Sequence, residues 1–286
     1  MDLRAIQCDP AAFRDALLID ADAGPRRFGP NLDPWQRDDF AAIDSGLRRA
    51  AGQAVENPTL RAMFIRPRGH SKTSDQSVTA AWLLFASRRK LSGVAAAADK
   101  DQALLLLNAI DTLCRLNGWL GEILEVGRDR VTNRHTGSCM VVISSDAASS
   151  FGHNPDFVIL DELSHWRGRE LFDSLLSASA KRANCMLLAI LNAGFRESWQ
   201  GELVNQIRTD PAWIFTSWTA RLHHGSHLTD LKSNADYCRR KFLPVCGKTS
   251  GPMVQAMLLK AATLQEPSRS PVRSRRQSVA GHTVPG

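Results

Sequence analysis

Arg66-Pro67-Arg68-Gly69-His70-Ser71-Lys72-Thr73 is the stretch on which the reading of this chain turns. Ahead of it, Ala62-Met63-Phe64-Ile65 is a short apolar run suited to a buried strand. Behind it, Ser74 to Ala86 carries Val78, Ala81, Trp82 and Phe85 at helical spacing. A strand, a loop and a helix in that order aim successive backbone N–H groups and a helix N-terminus at an anion. Lys72 would add a positive charge on terminal phosphates, and the Thr73 hydroxyl would ligate a metal ion held with them. The strict phosphate-loop pattern asks for glycine where Arg66 and Ser71 stand, so Gly69, Lys72 and Thr73 keep the expected chemistry. A serine held at positive φ in such a loop costs of order 1 kcal/mol.

A second segment completes the pattern. Phe157-Val158-Ile159-Leu160 is apolar throughout, as in a central parallel strand, and it ends in Asp161-Glu162. Ligands of open α/β sheets bind at that carboxyl edge. An Asp there can hold Mg²⁺ through water, and a following Glu can accept a proton from an attacking water. Together the two segments read as an ATP-hydrolysing site.

The rest of the chain supplies the frame. Asp9 to Asp20 reads as a short helix, and the Gly- and Pro-containing stretch after it as a loop delivering Trp35 and Gln36. A helix is expected from Gln36 to about Gly52, a strand over Leu91 to Ala98 and an apolar-striped helix over Lys100 to Leu116. Ile123 to Val131 and Cys139 to Ser144 read as paired strands around Asn133 to Gly137. A helix near Leu171 to Lys181, a strand Cys185 to Leu191, a helix Glu197 to Arg208 and a strand Trp213 to Trp218 follow. This alternation predicts an α/β fold with a mostly parallel sheet flanked by helices, and together with the phosphate loop and the acidic strand the expectation is a P-loop NTPase resembling the RecA/ASCE-like kind.

Composition sets limits. The 286 residues allow one large α/β domain with appendages. Six cysteines without a C-x-x-C pair imply neither a disulfide framework nor a zinc site. No signal peptide and no apolar stretch of membrane-spanning length are visible, so a cytoplasmic location is expected. The net charge of +7 resides in the last fifty residues, where Arg239 to Lys241, Lys248, Lys260 and the arginines from Arg269 to Arg276 face only Glu266. Basicity is therefore no argument for a DNA surface on the core. His223, His224 and His227 lack a carboxylate or cysteine to complete a metal set, and ahead of Gly247-Lys248-Thr249 Phe242 stands where a phosphate loop has its leading glycine, Pro244 and Cys246 spoil the turn, and no acidic strand follows. Trp166, Trp199, Trp213 and Trp218 read as core or interface residues, and Asp99 as a helix cap.

At this level the chain resembles the large terminase subunits of tailed bacteriophages, which package DNA into capsids. The resemblance runs from about Cys8 to Trp218. It rests on Pro34-Trp35-Gln36-Arg37, the arginine-containing phosphate loop, Ser144-Ser145-Asp146 before Gly152-His153-Asn154-Pro155-Asp156, the Asp161-Glu162 strand and Leu191-Asn192-Ala193-Gly194. It implies that Gln36, beside Trp35, contacts adenine. It also implies that an arginine of the loop, Arg66 or Arg68, acts in cis on the γ-phosphate. Gly69, His70, Ser71, Lys72 and Thr73 would cradle the phosphates, Thr73 and Asp161 would hold Mg²⁺, and Glu162 would be the general base. Asn192, Ala193 and Gly194 would couple hydrolysis to movement.

The implied activity is ATP hydrolysis driving double-stranded DNA. Its implied partners are a portal protein and a small terminase subunit, with assembly as a homo-oligomeric ring. The chain divides by this reading into a lead-in with the adenine-contacting segment (1–55), the ATPase core (56–222), a poorly defined connector (223–264) and a disordered basic tail (265–286). Acidic residues nearly vanish after Asp236, so the family's two-metal nuclease is not expected from this chain. The alternatives are another nucleic-acid-dependent P-loop ATPase, such as a helicase-like translocase, and a nucleotide-binding fragment without turnover.

Overall fold

Six parallel strands and two antiparallel ones form one sheet, and its order brings Lys72, Asp161 and Glu162 to a single edge. The computed structural model describes residues 2–21, 24–67, 69–145, 154–192 and 197–218. Helices α1 (Leu3–Cys8) and α2 (Pro10–Ala16) lead into a small ladder of β1 (Leu18–Ile19) and β2 (Arg26–Arg27), then into α3 (Pro34–Ala50). β3 (Arg61–Ile65), α4 (Lys72–Ala86), β4 (Ser92–Ala97) and α5 (Lys100–Leu116) follow. Next come α6 (Gly118–Gly121), β5 (Leu124–Val126), β6 (Arg130–Asn133) and β7 (Cys139–Ser144). The described part ends with β8 (Phe157–Leu160), α7 (Glu170–Ala180), β9 (Met186–Leu191), α8 (Trp199–Ile207) and β10 (Ile214–Ser217).

The sheet order is β10-β3-β9-β8-β4-β7-β6-β5. From β10 to β7 all neighbours are parallel, while β6 and β5 add antiparallel turns at one margin. β9 thus separates the phosphate-loop strand β3 from the acidic strand β8, the arrangement expected of an ASCE-type P-loop fold.

Strand residues alternate between two cores. Ala62, Phe64, Ala95, Ile159, Leu188 and Ile190 face α3, α4 and α5, packing with Phe40, Ile43, Trp82, Phe85 and Leu106. Met63, Ile65, Val94, Val158, Leu160 and Leu187 face α7 and α8, packing with Phe172, Leu175 and Leu203. Both faces being covered explains why these strands read as unbroken apolar runs. Gly93 is required by packing: a Cβ there would lie 2.1 Å from the ring of Phe157 on the neighbouring strand.

Two expectations need correcting. The helix read over Asp9 to Asp20 is shorter: only α2, ending at Ala16, falls in that range, with Asp9 capping it by accepting from the Ala11 amide and Pro10 at its first turn, while α1 precedes it as a separate helix. The chain is extended again by Leu18, whose backbone is held at both polar groups by the Asn117 side chain (2.8 and 2.9 Å). The single strand read over Ile123 to Val131 is two strands, β5 and β6, folded back at Gly127, whose amide donates to the Arg130 carbonyl. The connector and tail, with the histidines and glycine-lysine-threonine discussed above, lie outside the described residues.

Candidate nucleotide site

Because β3, β8 and β9 are parallel, Arg66, Pro67, Gly69 to Thr73, Asp161-Glu162 and Asn192 all emerge at the carboxyl edge of the sheet. Lys72 opens α4, and its ammonium points back across the edge. It donates to the Pro67 carbonyl at 3.1 Å and to Asn192 Oδ1 at 2.7 Å, and lies 3.2 Å from Glu162 Oε1. Asn192 Nδ2 donates to Glu162 Oε2 at 2.6 Å. Lysine, glutamate and asparagine therefore close a ring contributed by three separate elements. His165 Nε2 stands 3.9 Å from the same carboxylate.

Two residues of this edge adopt left-handed backbone without being glycine. Ser71, immediately before α4, has φ 44°, close to Gly69 with φ 80°. The loop thus curls with positive φ at the residue where the strict pattern has glycine, and serine bears the cost. Glu162 has φ 48° and is held there from below. Trp166 Nε1 donates to the Asp161 carbonyl at 3.1 Å, and Gln200 Nε2 donates to the carbonyls of Leu163 and Trp166. Strain kept at a sheet edge by surrounding bonds is characteristic of a functional turn.

Asp161 is buried beside Thr73, whose Oγ1 donates to its Oδ2 at 3.3 Å. Its other oxygen, Oδ1, is buried and has no hydrogen-bond partner. Burial, reinforced by the neighbouring Glu162 charge, pushes the Asp161 carboxyl up to about 6. An orphaned buried acceptor next to a threonine hydroxyl at a helix start fits Mg²⁺, which keeps several waters and takes few protein ligands. No group of three or more metal-ligating side chains occurs among the described residues.

On the adenine side the structure shows what holds Gln36 and Trp35 within the protein. Gln36 is buried in α3, and both ends of its amide are engaged. Its Oε1 accepts from the Asp33 amide at 3.1 Å, completing a capping box at the start of α3. Its Nε2 donates to Asp75 Oδ1 and Oδ2 at 2.9 and 3.0 Å. These bonds tie Gln36 to the start of α3 and to α4. Trp35 is half-buried, with its ring centroid 5.1 Å from that of His70.

Arg66 takes a different position from the one expected of a γ-phosphate contact. Its side chain is 1% exposed, between Asp39 and Asp75. Nε and Nη2 lie 2.9 and 2.8 Å from Asp39 Oδ2, and Nη1 lies 2.7 Å from Asp75 Oδ2. A guanidinium paired on both sides in the interior is held there, since withdrawing it would leave two buried carboxylates uncompensated. Burial pushes Asp75 up to about 6, against the pull of Arg66 and Gln36. Arg68, Ala193 and Gly194 lie outside the described residues.

Sequence reading missed Asp39, Asp75 and Gln200, each of which is buried. The available signal was their position: charged or amide side chains on the apolar stripe of a helix, at Asp39 in α3 and Asp75 in α4, are inward-facing and need partners. Asp99 caps α5 as expected, accepting from the Gln102 amide at 2.8 Å.

The profile of the terminase large subunit ATPase domain matches residues 58–209, more than half of the chain. No curated protein matches in sequence. Among solved structures, the large terminase of bacteriophage HK97 superposes with a TM-score of 0.67 at 19% identity, over 91% of this chain and 52% of that one. The chain thus spans about half the length of that relative. The large terminase ATPase domain of Thermus phage P74-26 gives a TM-score of 0.47 at 19% identity, over 57% of this chain and 76% of that one. The large terminase of another thermophilic bacteriophage, in complex with ADP, gives 0.46 at 11% identity, over 61% of this chain and 45% of that one. With its phosphate loop, acidic strand and intervening β9 in the order this fold demands, the chain belongs to the family of terminase large subunit ATPase domains.

Proposed function

We propose that this chain binds MgATP at the carboxyl edge of its sheet and hydrolyses it, as the motor part of a viral DNA-packaging terminase. The observation that carries the reading is the convergence of Lys72, Thr73, Asp161, Glu162 and Asn192, from β3-α4, β8 and β9, within hydrogen-bonding reach of one another. Lys72 would engage the β- and γ-phosphates, with the amides at the start of α4 around them. The Thr73 hydroxyl and, through water, Asp161 would hold Mg²⁺. Bound there, Mg²⁺ would neutralise charge on the phosphate oxygens.

Glu162 accepts a proton from water as the water oxygen bonds to the γ-phosphorus. The bond from that phosphorus to the β–γ bridging oxygen breaks, and ADP leaves with the electron pair. Asn192 touches both Lys72 and Glu162, so a phosphate drawing Lys72 away is felt directly at the base. That is a physical basis for Asn192, with Ala193 and Gly194 beyond it, coupling hydrolysis to movement. Arg68 is the loop arginine left to act on the γ-phosphate.

The work done is translocation of double-stranded DNA, in a homo-oligomeric ring together with a portal protein and a small terminase subunit. This part of the reading rests on membership of the family. DNA cleavage forms no part of the activity proposed for this chain. Lys72→Ala tests the site: MgATP affinity and hydrolysis should both be lost in the purified protein, whereas normal turnover would refute it.

A further inference from the structure

Building on that nucleotide site, we infer that Asp39 and Arg66 are positioning residues that fix the phosphate loop through Trp35, and that Arg66 does not touch the γ-phosphate. Arg66 directly follows β3, so its backbone lies where phosphates would bind, yet its side chain turns inward. All three guanidinium nitrogens are committed to Asp39 and Asp75 at 2.7 to 2.9 Å. The guanidinium carbon lies 4.8 Å from the Trp35 ring centroid. Trp35 in turn packs on His70, in the middle of the loop. A continuous stack thus runs from a carboxylate with 0% exposure to the loop that must aim Lys72.

Asp39 is anchored independently. Its Oδ1 accepts from Thr216 Oγ1 at 2.8 Å and from Trp218 Nε1 at 3.1 Å, and the Trp218 amide donates to the Ile65 carbonyl at 2.9 Å. The end of β10, helix α3 and the root of the phosphate loop therefore share one buried charge. Loops that bind phosphates work by being preorganised, so a loop left unfixed must be ordered by the nucleotide itself, at the expense of binding.

A group that shapes the loop affects bound substrate and transition state alike, so its loss raises KM. A group on the γ-phosphate acts as charge redistributes, so its loss lowers kcat. Steady-state MgATP hydrolysis by the full chain separates the two, using Arg66→Lys, Asp39→Asn, Trp35→Ala and the double variant Arg66→Lys/Trp35→Ala. Each single change should raise KM about tenfold while kcat falls less than about threefold, and the double should be no worse than the poorer single, because the residues act in series.

A loss of about 100-fold in kcat at unchanged KM for Arg66→Lys would overturn the inference, as would strictly additive effects. Asp39→Asn removes a buried charge and Arg66→Lys loses the forked donor geometry of a buried ion pair, so both are checked by thermal melting. Should either fail to fold, Trp35→Ala, on a half-buried ring, carries the test, and an unchanged KM there refutes it. A parent chain without turnover would instead count against the proposed function. The same variants would then be compared by equilibrium binding of MgATP, where a tenfold weakening supports the positioning role and an unchanged Kd overturns it.

Discussion

Asn192 donates to Glu162 Oε2 at 2.6 Å while accepting from Lys72 at 2.7 Å, so one amide ties the proposed base to the proposed phosphate ligand. Both bonds involve ionised groups, which makes them the stronger kind. Asn192→Ala should leave Glu162 turned by Lys72 alone, lowering kcat about tenfold or more, the equivalent of about 1.4 kcal/mol in the barrier. Initial rates at saturating MgATP measure this. An unchanged kcat would mean that Asn192 neither aims the base nor reports on it.

Base selectivity should be weak. Gln36 Nε2 donates to Asp75 and its Oε1 accepts from Asp33, so adenine would have to compete with partners inside the protein for this amide. A site that reads a base by hydrogen bonds discriminates by about 10⁴-fold, whereas one relying on shape and stacking falls far short. We expect kcat/KM for MgATP and MgGTP to agree within about tenfold. A preference for ATP above about 1,000-fold would show that Gln36 leaves Asp75 to contact the base.

Asp75 makes stability depend on pH in a direction opposite to that of an ordinary salt-bridged carboxylate. Burial raises it from 3.8 to about 6 in the folded protein. Its contribution is therefore fully present below pH 3.8 and is lost as pH rises through 6. From well above pH 6 to well below pH 3.8 the parent should gain about 3 kcal/mol relative to Asp75→Asn, most of it between about pH 7 and about pH 4. Denaturant unfolding of both proteins at about pH 4 and about pH 7 measures it; a difference independent of pH would show that Asp75 titrates normally.

The sheet and its two helical layers were legible because their signals are local. Phe157 to Leu160 and Met186 to Leu191 are apolar throughout since both faces are covered, and α5 begins where expected because Asp99 caps it. The Lys72, Thr73, Asp161 and Glu162 constellation was likewise visible, since a phosphate loop and an acidic strand end have fixed grammar. Spacing could not show where Arg66 and Gln36 point. Their orientation depends on Asp39 and Asp75, 27 and 9 residues from Arg66 along the chain, meeting only once α3 packs beside α4. The fold of β5 back onto β6 was missed for a similar reason, because Gly127 to Asp129 carries no strong turn dipeptide.

Glu162 is the proposed base of an MgATP-hydrolysing site built on Lys72, Thr73 and Asp161. Its most direct test is single-turnover hydrolysis of MgATP by Glu162→Gln, with nucleotide affinity measured on the same protein. The amide preserves shape and the bond to Asn192 but cannot accept the proton. Binding should remain within a few-fold of the parent while hydrolysis falls by at least about 100-fold; hydrolysis at the parent rate would contradict the account.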